Sequence, residues 1–232
     1  MKRTASRRRV ARRRSGSAAG RHRGRFLVLE GLDGAGTTTQ AQRLAAWLRE
    51  RGRRVHVTAE PSGGPMGTLV RQVLTGRVGG GPGKGEGVDP GALALLFAAD
   101  RLDHVAVEIE PRLREGWDVI SDRFTLSSLA YQALTCGGMA WVEALNGRAL
   151  APDVTFFLEV SAATAVRRRL AASTRPELFE IPAFQRRVAR SYREAAARLR
   201  ALGQRVEVVD GERPVAEVTV ALGALLEALG AL

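Results

Sequence analysis

A single cysteine, Cys136, stands in the 232 residues, so an intrachain disulfide framework is excluded and a reducing compartment is the natural setting. No apolar run approaches the roughly 20 residues needed to cross a bilayer. The basic start of the chain is followed at Ser15-Gly16-Ser17-Ala18-Ala19-Gly20 by a stretch too short and too polar for the core of a signal peptide, so a cytoplasmic protein is expected. Aromatic residues make up only 5% and just two are tyrosines. Lysine is scarcer still, with Lys2 and Lys84 set against 34 arginines.

Acid is also missing from the first 25 residues, which carry Lys2 and ten arginines. The formal charge of +12 therefore sits almost wholly in this segment, and the remaining 207 residues hold 25 basic against 24 acidic groups. Like-charge repulsion and a lack of apolar side chains predict a disordered tail over residues 1–25. An upstream start, a polyanion or nucleic-acid contact, or targeting would each explain it. From Phe26 onward the charge gives no reason to expect a nucleic-acid groove.

The body alternates short apolar runs with stretches of helical period. The runs are Phe26-Leu27-Val28-Leu29, Arg54 to Thr58, Trp117 to Ser121, Val154 to Leu158 and Val206 to Val209. They lack polar alternation, as strands covered on both faces do. Helical periodicity covers about 38–51, 66–75, 90–114, 125–147, 162–172, 180–202 and 214–229. The pattern predicts one α/β domain over 26–232, a five-stranded parallel sheet with helices on both faces. Residues 76–89 are too glycine-rich for either element and read as a flexible loop. Gly83-Lys84 within it is not a phosphate-binding signature, since Val78 stands at the first glycine position and Gly85 at the hydroxyl position.

The better phosphate loop is Gly31-Leu32-Asp33-Gly34-Ala35-Gly36-Thr37-Thr38, which joins the first strand to the first helix. Glycines there let consecutive N–H groups turn toward a phosphate, and the helix N-terminus adds its positive end. The spacing is that of a P-loop, with Thr37 at the lysine position and Thr38 able to offer its hydroxyl to Mg²⁺.

Five segments together resemble the thymidylate kinases of the P-loop nucleoside monophosphate kinase group. They are Glu30 to Gly36 with Thr38-Thr39-Gln40, Glu60 to Gly67, Leu95 to Arg101, Asp122 to Gln132, and Ala151 to Val160. The resemblance implies the three-layer P-loop NTPase fold and transfer of the ATP γ-phosphoryl group to thymidine monophosphate, with Mg²⁺, in a homodimer. It places Arg123 on the acceptor phosphate, suited by its forked guanidinium. Asp122 would hold Mg²⁺ with Thr38, and Asp33 would serve the acceptor sugar and the metal environment. Phe97 would stack on the base, Arg101 and Ser128 would bond its edge, and Tyr131 would crowd the sugar 2′ position. Segment 167–180 would be the lid over the triphosphate. Spacing does not single out its acting arginine, and Arg175, in the non-periodic part, is the assignment.

Thr37 is the departure from that pattern. A missing P-loop charge would reduce the rate on the order of 10²–10³-fold, about 3–4 kcal/mol, unless an arginine supplies it. A nucleotide binder without transfer, or a kinase of another nucleoside or nucleotide, are the alternatives. If the kinase reading holds, the strands ending at Leu29 and Ser121 must be neighbours, bringing Asp122 to the Thr38 hydroxyl.

Overall fold

The computed structural model describes residues 23–78, 87–172 and 182–230. Its strands are β1 (Phe26–Gly31), β2 (Val55–Ala59), β3 (Asp118–Asp122), β4 (Val154–Glu159) and β5 (Val206–Asp210), in the order β2-β3-β1-β4-β5. Every pairing is parallel. Leu27 and Leu29 of β1 point into one core with residues of α1 (Thr37–Glu50), α8 (Pro182–Ala201) and α9 (Val215–Ala228). Phe26 and Val28 point the other way, into a second core with Val105, Ile109 and Leu113. Both faces of the strand are buried, which explains why it is apolar without alternation.

Three further helices, α2 (Pro65–Leu74), α3 (Pro90–His104) and α7 (Ala162–Ala172), fall where periodicity places them. Two stretches depart from it. The expected helix over 90–114 widens into a π turn at Val105–Ile109 before α4 (Glu110–Arg114), with the Glu110 N–H reaching Val105 O. Pro111 explains the defect, since it lacks the N–H that would bond Val107 and its ring crowds that carbonyl. The expected helix over 125–147 is broken into α5 (Thr125–Tyr131), a 3-10 turn (Gln132–Leu134) and α6 (Gly138–Asn146). Gly137 and Gly138 sit at φ 61° and 76°, outside the right-handed helical region, so the break is built into the chain.

Of the basic tail, residues 1–22 lie outside the described residues, as do 79–86 of the glycine-rich loop and 173–181, which include 173–180 of the expected lid. Residues 23–25 are tied down: Gly24 N–H donates to Leu113 O, Arg23 pairs with Asp153 at 3.2 Å, and Arg25 N–H donates to Asp118. The hydrogen-bonded body therefore begins by Arg23. Among the described residues no helix is long and apolar enough to cross a membrane.

Candidate active site

β1 is flanked by β3 on one side and β4 on the other, so the chain crosses in opposite directions from its carboxyl end. Open parallel sheets bind ligands at such a switch point. Here it carries the glycine loop, with a cleft on each side.

The loop backbone needs its glycines. Gly34 lies at φ +92°, and a Cβ there would stand 2.3 Å from Ala165 O of α7. Gly36, at φ 93°, precedes the first residue of α1, so the unpaired N–H groups of that helix open onto the loop. Thr37 is buried at the start of α1. Thr38 Oγ1 donates to Asp122 Oδ2, which the pairing of Leu29 with Asp122 brings across from β3. The other carboxylate oxygen, Asp122 Oδ1, is buried and takes no donor among the described residues. A buried carboxylate oxygen without a partner is costly in isolation and suits a cation. The donor set, one hydroxyl and one carboxylate beside a phosphate loop, is the oxygen chemistry Mg²⁺ prefers.

One cleft is lined by Asp33, Glu60, Pro61, Phe97, Arg101, Arg123, Ser128 and Tyr131 among others. Arg123 lies just past β3 at φ 73°, a backbone state that a non-glycine residue adopts only where its surroundings enforce it. Its N–H donates to Leu29 O at 2.8 Å, and its Nη2 donates to Asp33 Oδ1 at 2.6 Å. Burial opposes the guanidinium charge, but Asp33, with Tyr192, Tyr131 and Asp122 around it, outweighs burial and holds its pKa well above the ordinary value. Tyr131 O–H donates to the second Asp33 oxygen at 3.0 Å. Burial and the Asp33 charge both push that phenol's pKa upward, so Tyr131 stays a donor. The Asp33 carboxylate, which beside bound phosphates would repel them, is thus paired within the protein with Arg123.

Arg101, only 1% exposed, is held more tightly than its motif suggests. Nη2 donates to Glu60 Oε2 at 2.6 Å and to Phe124 O at 3.0 Å; Nη1 donates to Ser128 Oγ at 3.0 Å and to Asn146 Oδ1. Nε alone has no acceptor among the described residues. His104 Nδ1 lies 3.2 Å from the other Glu60 oxygen, where the acceptor-only carboxylate requires it to donate. Asp100 accepts from Ser62 N–H and Oγ–H at 2.7 and 2.5 Å, fixing the segment after β2.

The second cleft lies on the far side of the loop, lined by Gly34, Ala35, Gly36, Thr39, Gln40, Arg168 and residues 211–215. Arg168 Nη1 donates to Gly211 O at 2.9 Å, which ties α7 to the segment after β5. Arg169 Nη1 stands 4.0 Å from Asp33 Oδ1. Arg175 lies outside the described residues.

The structure therefore gathers Asp33, Arg123, Tyr131, Phe97, Arg101 and Ser128 at one cleft and Thr38 with Asp122 at the loop. Sequence reasoning assigned no role to Glu60, His104, Asn146 or Tyr192. Their contacts join segments far apart in sequence, and no spacing rule signals them, although Glu60 does lie within a resembling segment.

The family model described as thymidylate kinase matches residues 29–221. A probable thymidylate kinase of Pyrobaculum calidifontis is 40% identical over 202 residues, covering 87% of this chain and 95% of the relative. One from Thermococcus kodakarensis is 43% identical over 178 residues, covering 74% and 83% respectively. A thymidylate kinase of Bifidobacterium longum subsp. infantis is 39% identical over 210 residues, covering 89% and 87%. With a family match across most of its length and relatives near 40% identity covering most of both chains, the protein belongs to the thymidylate kinase family.

Proposed function

We propose that the protein transfers the γ-phosphoryl group of ATP to thymidine monophosphate. The observation that carries this reading is the pair of clefts meeting at one glycine loop, with Arg123 on one side and the α1 N-terminus beneath. ATP would lie in the cleft of Arg168 and residues 211–215, and the acceptor in the cleft of Phe97, Arg101 and Tyr131. Phosphoryl transfer requires positioning and charge neutralisation more than covalent help. Arg123, held by Asp33, presents its remaining donors to the acceptor phosphate. Ser128 and the Arg101 Nε–H address the polar edge of the base, while Phe97 covers its face.

Thr38 and Asp122 would hold Mg²⁺, the Asp122 Oδ1 that has no donor among the described residues being the fitting site for a cation. When bound, the ion supplies positive charge to the β- and γ-phosphate oxygens. A second copy would cover Leu95 and Leu102, exposed by 52% and 37% and seven residues apart on α3, giving a homodimer. Polyanion binding, if present, belongs to the 1–25 segment. An ADP-release assay with a panel of nucleoside monophosphates tests the function. Thymidine monophosphate should give the highest kcat/KM, and a higher value for another acceptor would overturn the assignment.

Tyr131 provides a sharper test. A ring at the sugar 2′ position rejects ribonucleotides by overlap, so Tyr131→Ala should narrow the preference for deoxy over ribo acceptors by roughly tenfold. An unchanged ratio would mean that the ring does not face the sugar.

The lysine position is taken by Thr37, and we assign the missing charge to a lid arginine, Arg175 by its place in the sequence. Thr37→Lys should then give little gain in turnover, because the new ammonium competes for oxygens a guanidinium already holds, and Arg175→Ala should be severe. A large rate increase in Thr37→Lys together with a silent Arg175→Ala would contradict that assignment.

A further inference from the structure

Arg123 is held by a second set of contacts that the family resemblance does not account for. Glu30 is fully buried at the end of β1. Its Oε1 accepts the N–H groups of Phe124 and Ser127 at 2.8 and 3.1 Å, and its Oε2 accepts the Ser127 hydroxyl at 2.5 Å. Because Glu30 takes the Ser127 proton, the Tyr192 hydroxyl, 2.8 Å from Ser127 Oγ and 3.5 Å from Glu30 Oε2, is the donor on that side and Ser127 Oγ does not donate to it. Both hydroxyl oxygens are then left with lone pairs for one guanidinium nitrogen. Arg123 Nη1 donates to Ser127 Oγ at 3.0 Å and to Tyr192 Oη at 3.2 Å. With Nη2 on Asp33, Nε and one Nη2 proton of Arg123 take no acceptor among the described residues.

Tyr192 comes from the middle of α8, remote in sequence from the strand ends that build the rest of the site. Its ring is fixed by stacking on Phe157, with centroids 5.2 Å apart, and by an edge contact with Tyr131 at 5.9 Å. We propose that Tyr192 is a positioning residue for phosphoryl transfer: Glu30, through Ser127, orients its hydroxyl, which holds Arg123 Nη1 and leaves the other guanidinium donors for the acceptor phosphate. The proposal rests on the reading of Arg123 as the acceptor-phosphate ligand.

Tyr192→Phe removes the hydroxyl and keeps the ring, so the packing against Phe157 and Tyr131 survives. Binding of thymidine monophosphate, thymidine and ATP is measured on the full chain by calorimetry. Thymidine lacks the phosphate and reports the base pocket alone. Affinity for the monophosphate should fall about tenfold, the lower range for a hydrogen bond to a charged group, with thymidine and ATP unchanged. Ser127→Ala, which cuts the same relay from its other member, should act in the same direction. Equal weakening of monophosphate and thymidine, or no change in either, overturns the proposal. Arg123→Leu, measured beside them, separates the two levels. If it abolishes the preference for monophosphate over thymidine while Tyr192→Phe leaves it intact, the positioning role fails and the Arg123 reading stands. If Arg123→Leu leaves the preference intact, the Arg123 reading itself fails.

Discussion

Asp122→Asn is expected to lower turnover about 10²–10³-fold, the scale for losing one preorganised charge stabiliser, while the unliganded protein stays as stable as the parent or becomes more stable. The two effects have one cause. Among the described residues Asp122 Oδ1 is buried without a donor, and a carboxylate so placed is held at a cost that a cation relieves. An amide removes the charge and with it both the cost and the metal ligand. Thr38 can still donate to the amide oxygen, so the loop geometry survives. Steady-state rates and a thermal melt on the same preparation check the pair of outcomes. Unchanged turnover would remove Asp122 from the metal site, and a marked loss of stability would mean that its carboxylate holds the fold.

Arg101→Ala should have the largest effect on stability, about 3–5 kcal/mol, because it leaves the Glu60 carboxylate buried and uncompensated. Both side chains of the pair are only 2% exposed. Among the described residues His104 alone would remain on Glu60, and Ser128, Asn146 and the Phe124 carbonyl would each lose a donor. Denaturant melts measure this directly. Acceptor binding should weaken by a further 1.5–3 kcal/mol or about that, the range for a hydrogen bond to a charged group, with ATP affinity nearly unchanged. Adding Glu60→Gln to Arg101→Ala should recover much of the stability and none of the acceptor affinity. Equal losses for both nucleotides would count against a base-reading role.

The five strands, their parallel pairing and the loop that follows β1 were legible in the sequence, because a strand covered on both faces must be apolar along its length and a phosphate loop must be glycine-rich; the order of the strands beyond the neighbouring of β1 and β3 was not. The meeting of Thr38 with Asp122 was legible too, since it follows once β1 and β3 are adjacent. The break at Gly137 and Gly138 was overlooked although the glycine pair is itself a turn signal, because the apolar spacing of 125–147 keeps a helical period across it. Arg101 shows a deeper limit. Its spacing from Phe97 puts both on one helical face, but its four acceptors come from β2's end, the segment after β3, α5 and α6. Tyr192 is likewise invisible to spacing, as an isolated tyrosine on an arginine-rich helix. What local pattern can state is which groups belong at strand ends; what holds those groups at their angles comes from elements that tertiary packing brings together.

The central claim is phosphoryl transfer between two nucleotides held on either side of one loop. Its most direct test is the appearance of label from γ-labelled ATP in thymidine diphosphate, using the full purified chain with Mg²⁺. Label should appear with saturable dependence on thymidine monophosphate and vanish when a chelator removes the metal. Binding of both nucleotides with no label in the diphosphate would contradict it.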